Sequence, residues 1–360
     1  MLKLVDFFSG CGGFSRGALN AGFEVSVAYD NDPILCSSYA RNFPNSKHVL
    51  ADVAKLTAND VLRDANGPID GVFGGPPCQG FSSIGKRSPH DPRRQLLGHF
   101  FRLVRELRPK FFIMENVVGL SQGAAAEVLE RAMQMVSADY DISGPWILDA
   151  ADYGAATRRP RLFVLGFLSE LNVGFESGDL DFYLSEAATV RDAINDLVEL
   201  SMIGTDLAED TWRISPAVEP SNYAEQLRSP DLVCTGNLRT KHSERVIERF
   251  RGVSPGKMDK VGRHHRLSWS GQCPTLRAGT GSDKGSFQSV RPLHPNEPRV
   301  ITVREAARLQ GFPDSHYFHP TIWHSFRMIG NSVSPIMAEA LFEAVRKKME
   351  KNVNLSEHAA

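Results

Sequence analysis

No stretch of the 360-residue chain approaches the roughly 18 consecutive apolar residues of a membrane helix. Met1 to Phe8 passes straight into a strand-like run, where a signal peptide would need a charged segment and then a longer apolar one. A cytoplasmic protein with no membrane partner is expected. Cysteine is sparse and unpaired in pattern. The five residues, at 11, 36, 78, 234 and 273, contain no Cys-x-x-Cys, which argues against a disulfide framework and against a zinc site. No metal is expected, and the thiols are expected to be reduced. Net charge is only −1, which gives the whole chain no pull on a polyanion. Internal repeats and low-complexity tracts are lacking too.

What is present is an ordinary globular composition, 42% hydrophobic, in a chain long enough for two domains. Its charge is uneven. Residues 165 to 234 hold three Lys/Arg against fourteen Asp/Glu, and residues 235 to 310 hold fifteen Lys/Arg against six Asp/Glu. The basic stretch suits a phosphate backbone or, equally, a solvated surface that balances the acidic segment.

Leu2 to Phe8 is an apolar run that breaks at Ser9-Gly10-Cys11-Gly12-Gly13 and continues as a helical segment, Phe14 to Ala21, with Gly22 as its stop. Phe23 to Tyr29 reads as a second strand, ending in Asp30. An acid at that place in a doubly wound fold can accept bonds from both hydroxyls of a ribose. The glycines do not spell Gly-x-Gly-x-x-Gly, because Ser15 stands in the third place, so a nucleoside without a diphosphate is the expected ligand. Val49 to Asp52 supplies a third strand end with an acid. Ile69 to Phe73 is a fourth strand, and Phe111 to Met114 a fifth that ends at Glu115. Pro92 to Arg108, with Leu96, Phe100, Val104 and Leu107 on one face, is expected to be the helix between them. Ligands gather outside the C-terminal ends of such strands, so Asp30, Asp52, Cys78 and Glu115 are expected to line one crevice.

Ile147 to Ala151 and Arg161 to Phe167 read as the last strands of the sheet, with arginines at 158, 159 and 161. A second domain is expected to follow. It opens with a helix from about Val190 to Leu200 behind a capping box, Thr189 to Asp192. It later carries a Gly-, Ser- and Thr-rich loop around Gly279 to Gly285. A last helix, Pro335 to Lys351, presents Ile336, Met337, Ala340, Leu341 and Val345 on one side and is expected to dock.

Gly74-Gly-Pro-Pro-Cys78-Gln-Gly-Phe-Ser82 sets one thiol in a backbone with little freedom. Two prolines fix φ, and the flanking glycines permit turns that other residues resist. A positioned thiolate, a nearby carboxyl group, a ribose-binding acid and a basic second domain together suggest nucleophilic attack on a nucleic-acid base. Cytosine C5 is a poor nucleophile. Addition of a thiolate at C6 turns the ring into an enamine whose C5 can attack an electrophile, and a carboxyl group at N3 stabilises the charge that develops. Cys78 and Glu115 suit these two roles.

The chain resembles the DNA (cytosine-5) methyltransferases that use S-adenosyl-L-methionine. The resemblance is ordered along nearly all of it: Asp6-Phe-Phe-Ser-Gly-Cys-Gly-Gly13, Gly75-Pro-Pro-Cys-Gln-Gly-Phe-Ser82, Met114-Glu-Asn-Val117, Arg159-Pro-Arg161, Thr302 through Asp314, and Gly330-Asn-Ser-Val333. It implies an α/β, doubly wound methyltransferase sheet with an inserted, smaller target-recognition domain. Residues 189–324 would be the recognition domain and hinge, and residues 1–188 and 325–360 the catalytic part. It implies S-adenosyl-L-methionine as cofactor, bound by Phe8, Gly10, Cys11, Gly12, Gly13, Asp30, Asn31, Asp52, Val53, Pro77, Leu96, Asn331 and Ser332. Asp30 would hold the ribose and Asp52 the adenine amino group.

By the same resemblance Cys78 is the nucleophile, Glu115 holds N3 and the exocyclic amine of a flipped-out cytosine, and Arg161, with Arg159 beside it, reaches O2. Double-stranded DNA is the implied partner. It would be touched by Ser82, Lys86, Arg87 and Arg93 in a loop from Gly80 to Leu96, and by Thr275, Arg277, Gly279, Gly281 and Lys284 in the recognition domain. A bacterial or phage modification enzyme is implied, acting as a monomer near the nucleoid, with a cognate restriction endonuclease cutting the same site. The chain departs from the family at Ala155-Ala156-Thr157, where Val-Pro-Gln is usual, and at Met328, where Gln is common. The tRNA branch that shares these motifs carries a Cys-Phe-Thr signature, and here Cys234-Thr235 lacks the Phe. A nicotinamide-dependent oxidoreductase is disfavoured by the glycine pattern.

Overall fold

Apolar and aromatic runs become the strands of a seven-stranded sheet in the computed structural model, which describes residues 1–77, 95–203, 210–279 and 290–358, with side chains to residue 351. In chain order the strands are β1 (Lys3–Phe7), β2 (Glu24–Asp30), β3 (Lys47–Leu50), β4 (Gly71–Gly74), β5 (Phe111–Asn116) and β6 (Tyr140–Asp149). After a two-residue strand outside this sheet, β7 (Thr157–Arg158), comes β8 (Pro160–Leu168). The sheet order is β3-β2-β1-β4-β5-β8-β6. The first five are parallel, and β8 runs antiparallel to both of its neighbours.

Every residue of β4 and β5 is buried, as for central strands covered on both faces. Strand order reverses between β1 and β4, and the loops leaving those two strands are the Gly10 loop and the Gly74-Gly75 turn. That is where a doubly wound sheet opens a crevice. Helices α1 (Gly13–Asn20), α2 (Tyr39–Asn42), α3 (Ala58–Asp64), α4 (Leu96–Leu107) and α5 (Ala124–Gln134) fill the connections.

The chain divides into two compact units. The sheet unit comprises Met1–Asp149, Pro160–Leu184 and Met337–Ala360, and the second unit comprises Ala150–Arg159 and Ser185–Ile336. The second unit therefore takes in more of the chain than residues 189–324. It holds α6 (Val190–Ile194), an antiparallel sheet of β9 (Leu200–Met202), β10 (Thr211–Ile214) and β11 (Val233–Thr235), then α7 (Asn222–Leu227), α8 (Glu244–Arg251), β12 (Cys273–Pro274) paired with β7, α9 (Val303–Gln310) and α10 (Ile322–Asn331).

The capping box at Thr189 forms with Asp192 as expected, yet α6 ends at Ile194 instead of near Leu200. The cause is Asp196, 2% exposed, whose carboxylate is drawn into ion pairs with Arg228 and Arg308 through a short 3-10 turn. The last helix, α11 (Pro335–His358), docks in the sheet unit as its apolar side requires, burying Met337, Leu341, Phe342 and Val345. A Cβ at Gly17 of α1 would lie 2.4 Å from that of Ala338, so the close crossing of α1 and α11 depends on a glycine.

Candidate active site at the strand ends

At the end of β1 the backbone turns abruptly. Phe8 sits at φ +66°, a conformation bulky residues avoid, and Gly10 and Gly12 follow at +51° and +84°. Asp30, at the end of β2, holds this turn. Its Oδ2 accepts the Gly10 amide at 2.8 Å, and its Oδ1 accepts the Asp32 amide at 2.8 Å. Burial pushes this carboxyl above its ordinary value, against the pull of those amides. A carboxylate offers about four lone-pair sites, and the Gly10, Asp32 and Asn31 amides use at most three, so bracing the loop leaves an acceptor for a ribose hydroxyl. Asp52 accepts the Ala54 amide at 3.0 Å and caps a 3-10 turn over Val53, while Asn31 is exposed and Phe8 packs half-buried against the core.

Two observations bear on the implied cofactor. Among the described residues, no atom lies within 4 Å of the place a Cβ would take at Gly10, and the buried Ser9 hydroxyl has no partner. A loop with open space before it, an unpaired hydroxyl and acids at the two adjacent strand ends fits an amino-acid-bearing nucleoside. Cys11, Gly12 and Gly13 are buried behind it, and a Cβ at Gly12 would stand 2.2 Å from the Phe43 ring.

Beneath the loop lies a group that reading the sequence missed. Ser15 donates to the buried Asp6 carboxylate and also meets the Tyr39 hydroxyl at 2.7 Å. Burial holds Asp6 well above its ordinary value, and nearby Asp30 adds to this. An acid inside an apolar run and a serine on the buried face of a helix were the available signals.

The second half of the crevice is built from β4 and β5. A Cβ at Gly74 would strike the Phe7 carbonyl at 2.1 Å, and one at Gly75 would come within 2.8 Å of Glu115 Oε2. Glycines thus let the turn press against β1 and against the Glu115 carboxylate. Arg161, at the start of the antiparallel β8, places Nε 2.9 Å from Glu115 Oε1, with both side chains close to nine-tenths buried. Next in sequence, Asn116 donates to the Pro76 carbonyl at 2.9 Å and so ties the end of β5 to the Pro-Pro turn. Pro77 and, at the start of α4, Leu96 are half-buried. Cys78, Ser82, Lys86, Arg87, Arg93, Gly281 and Lys284 lie outside the described residues.

Within the second unit Arg159 is wholly buried, and its guanidinium donates to the Leu276 carbonyl at 3.1 Å and the Gly330 carbonyl at 2.8 Å. The basic residues of 235 to 310 are not simply an outward-facing surface. Arg266, Arg299, Arg304 and Arg308 are buried on carbonyls and carboxylates of their own unit. Arg277 and Gly279 are exposed, and Thr275 is fastened by its hydroxyl to the Arg158 carbonyl at 2.7 Å. Asn331, the last residue of α10, is exposed, and Ser332, which caps it, is buried, its carbonyl accepting from Gln310.

The family described as C-5 cytosine-specific DNA methylase matches this chain over residues 2–347. The chain is 41% identical to the type II methyltransferase M.XorII of Xanthomonas oryzae pv. oryzae, over 96% of this chain and 86% of that protein. It is 31% identical to the type II methyltransferase M.DdeI of Desulfomicrobium norvegicum, over 98% and 90% of the two chains. A crystal structure described as a DNA modification methyltransferase encoded within an E. coli prophage superposes with a TM-score of 0.84 at 39% identity, covering 97% of this chain and 100% of that one. The Dnmt2 methyltransferase of S. pombe shares the fold, with a TM-score of 0.64 at 19% identity over 98% and 99% of the two chains.

Proposed function

The chain belongs to the C-5 cytosine-specific DNA methylases, and from that premise we propose how its own residues carry the reaction. The activity itself is methylation of cytosine C5 in DNA with S-adenosyl-L-methionine as donor. When bound, the cofactor supplies a methyl group on a sulfonium, a strong electrophile. Phe8, the Gly10 to Gly13 loop, Asp30, Asn31, Asp52, Val53, Pro77 and Leu96 hold it, joined by Asn331 and Ser332.

Cys78 attacks C6 of a flipped-out cytosine, and the electron pair moves through the ring toward N3 and C5. Glu115 shares a proton with N3 to meet that charge and accepts from the exocyclic amine, while Arg161 keeps the carboxyl group in place and reaches toward O2. Once C5 carries the methyl group, loss of its proton and departure of the thiolate restore the aromatic ring. The observation that carries this reading is the Glu115–Arg161 pair at 2.9 Å, set against Gly75 three residues before Cys78.

The second unit serves as the target-recognition part, within 189–324, and Thr275, Arg277, Gly279, Gly281 and Lys284 contact DNA. Ser82, Lys86, Arg87 and Arg93 contact it beside the target base. The type II naming of the relatives supports a paired restriction endonuclease; the chain is proposed to act as a monomer on cytoplasmic DNA. Glu115→Gln keeps the shape but cannot supply a proton, and its single-turnover rate should fall by about 10² to 10⁴. A loss of less than about tenfold would remove Glu115 from this role.

A further inference from the structure

We infer that Arg159 is a positioning residue for sequence recognition, setting the segment that presents Arg277; this rests on the reading of Arg277 as a base contact. The short segment 156–159 holds the segment that starts at Cys273 at successive points. The Cys273 amide donates to the Ala156 carbonyl at 2.8 Å, Thr157 Oγ1 donates to the Cys273 carbonyl at 3.0 Å, and Thr275 Oγ1 donates to the Arg158 carbonyl at 2.7 Å. The last point is different in kind. There a charged, wholly buried side chain reaches out, with Nη1 of Arg159 on the Leu276 carbonyl and Nη2 on the Gly330 carbonyl.

Leu276 is the residue immediately before the exposed Arg277. On the other side, a Cβ at Gly330 would lie 2.5 Å from the Ala278 amide nitrogen and 2.6 Å from the Arg277 carbonyl carbon. The backbone at 277 and 278 is thus pinned between a guanidinium fork and a helix end with no room to spare. A planar guanidinium fixes the spacing and angle of the two carbonyls it joins, which a lysine ammonium cannot do. Reading a base edge requires placement to within about 0.5 Å, so the fork sets where Arg277 can reach.

The test measures kcat/KM on the cognate duplex, identified by bisulfite sequencing of DNA from expressing cells, and on every single-base-pair variant of it. Wild type, Arg277→Ala, Arg159→Lys and Gly330→Ala are compared. A bidentate base contact discriminates by about tenfold or more, and Arg159→Lys should lose that discrimination at the same base pair as Arg277→Ala while other positions keep theirs. A structural role alone would slow all duplexes by one factor, and that uniform pattern overturns the inference. If Arg277→Ala relaxes one position and Arg159→Lys does not, the base reader stands and the positioning role falls. If Arg277→Ala leaves every ratio intact, the reading of Arg277 falls and takes the inference with it. Should Arg159→Lys fail to fold, Gly330→Ala, which pushes on the same backbone from the opposite side, decides by the same pattern.

Discussion

The sheet unit and the second unit satisfy their buried backbone in opposite ways. In the sheet unit the ladder between long strands does the work, and the space between layers is filled with rings. Phe14, Phe73 and Phe342 meet with centroids 4.9 to 5.4 Å apart, joining α1, β4 and α11. In the second unit the described strands have only two to four residues, and buried guanidinium groups take the ladder's place. Arg304 bonds the carbonyls of Thr235, Pro313 and His316, and Arg266 those of Phe250, His294 and Pro295. Buried carbonyls need donors, and where the chain is irregular an arginine can serve several at once. The same residue type therefore marks chemistry in one unit and architecture in the other.

The largest effect that would sharpen this contrast is at Arg308. Its guanidinium joins Asp314 and Asp196, and all three are essentially without solvent. Arg308→Ala removes the cation that two buried carboxylates share, leaving Asp196 with Arg228 and Asp314 with Arg304 at 3.8 Å, and should cost about 3–5 kcal/mol in denaturant unfolding. In the sheet unit a similar loss takes removal of a ring, and Phe342→Ala should also cost about 3–5 kcal/mol. An Arg308→Ala protein of wild-type stability would break the comparison.

Acid separates the Arg299–Glu305 pair of α9 from the buried carboxyls under the first loop by sign. Burial pushes Glu305 up, but hydrogen bonds and charge from Arg299 outweigh it and hold Glu305 below its ordinary value of 4.5. A depressed carboxylate stabilises the fold above its unfolded value, and that contribution is lost as pH falls from about 4.5 through the folded value. Asp6 and Asp30 are raised above 3.8 by burial, so their charged forms cost stability near neutrality, and protonation on the way down relieves it. On lowering pH, amide protection should fall in α9 while β1 and α1 keep or gain theirs. Loss that begins in β1 would contradict the assignment. The smallest effect is at the exposed Arg251, paired with Glu248 on α8. Arg251→Gln should change stability by less than about 0.5 kcal/mol, since burial and not charge alone gives these pairs their weight.

Much of the sheet unit was legible in the sequence because most of its strands are apolar runs, and three of them meet an acid at or within two residues of their end. The acids at 30, 52 and 115 were visible for that reason. The strand expected at Ile147 to Ala151 in fact starts at Tyr140, because Asp141, Ser143, Gly144 and Pro145 interrupt its apolar pattern where its pairing with β8 is irregular. The Asp6, Ser15 and Tyr39 cluster was hidden because its members come together only when β1, α1 and α2 pack. Arg159 and Arg161 are two residues apart in one short motif, and only the fold gives each its partners: Arg159 donates to the carbonyls of Leu276 and Gly330, and Arg161 pairs with Glu115. Net charge along 235 to 310 left its role open for the same reason, since a count cannot tell a buried guanidinium from one facing solvent.

The central claim is covalent attack by Cys78 at a site framed by Glu115 and Arg161. It is tested by offering the enzyme, with S-adenosyl-L-methionine, a cognate duplex whose target cytosine carries fluorine at C5. Loss of a proton from C5 is then impossible, so the adduct should persist through denaturation, and mass spectrometry of the digested complex should place the base on Cys78. Cys78→Ala should form no adduct and methylate no DNA while binding the cofactor within a few-fold of wild type. An adduct on another residue, or methyl transfer retained by Cys78→Ala, would contradict the account.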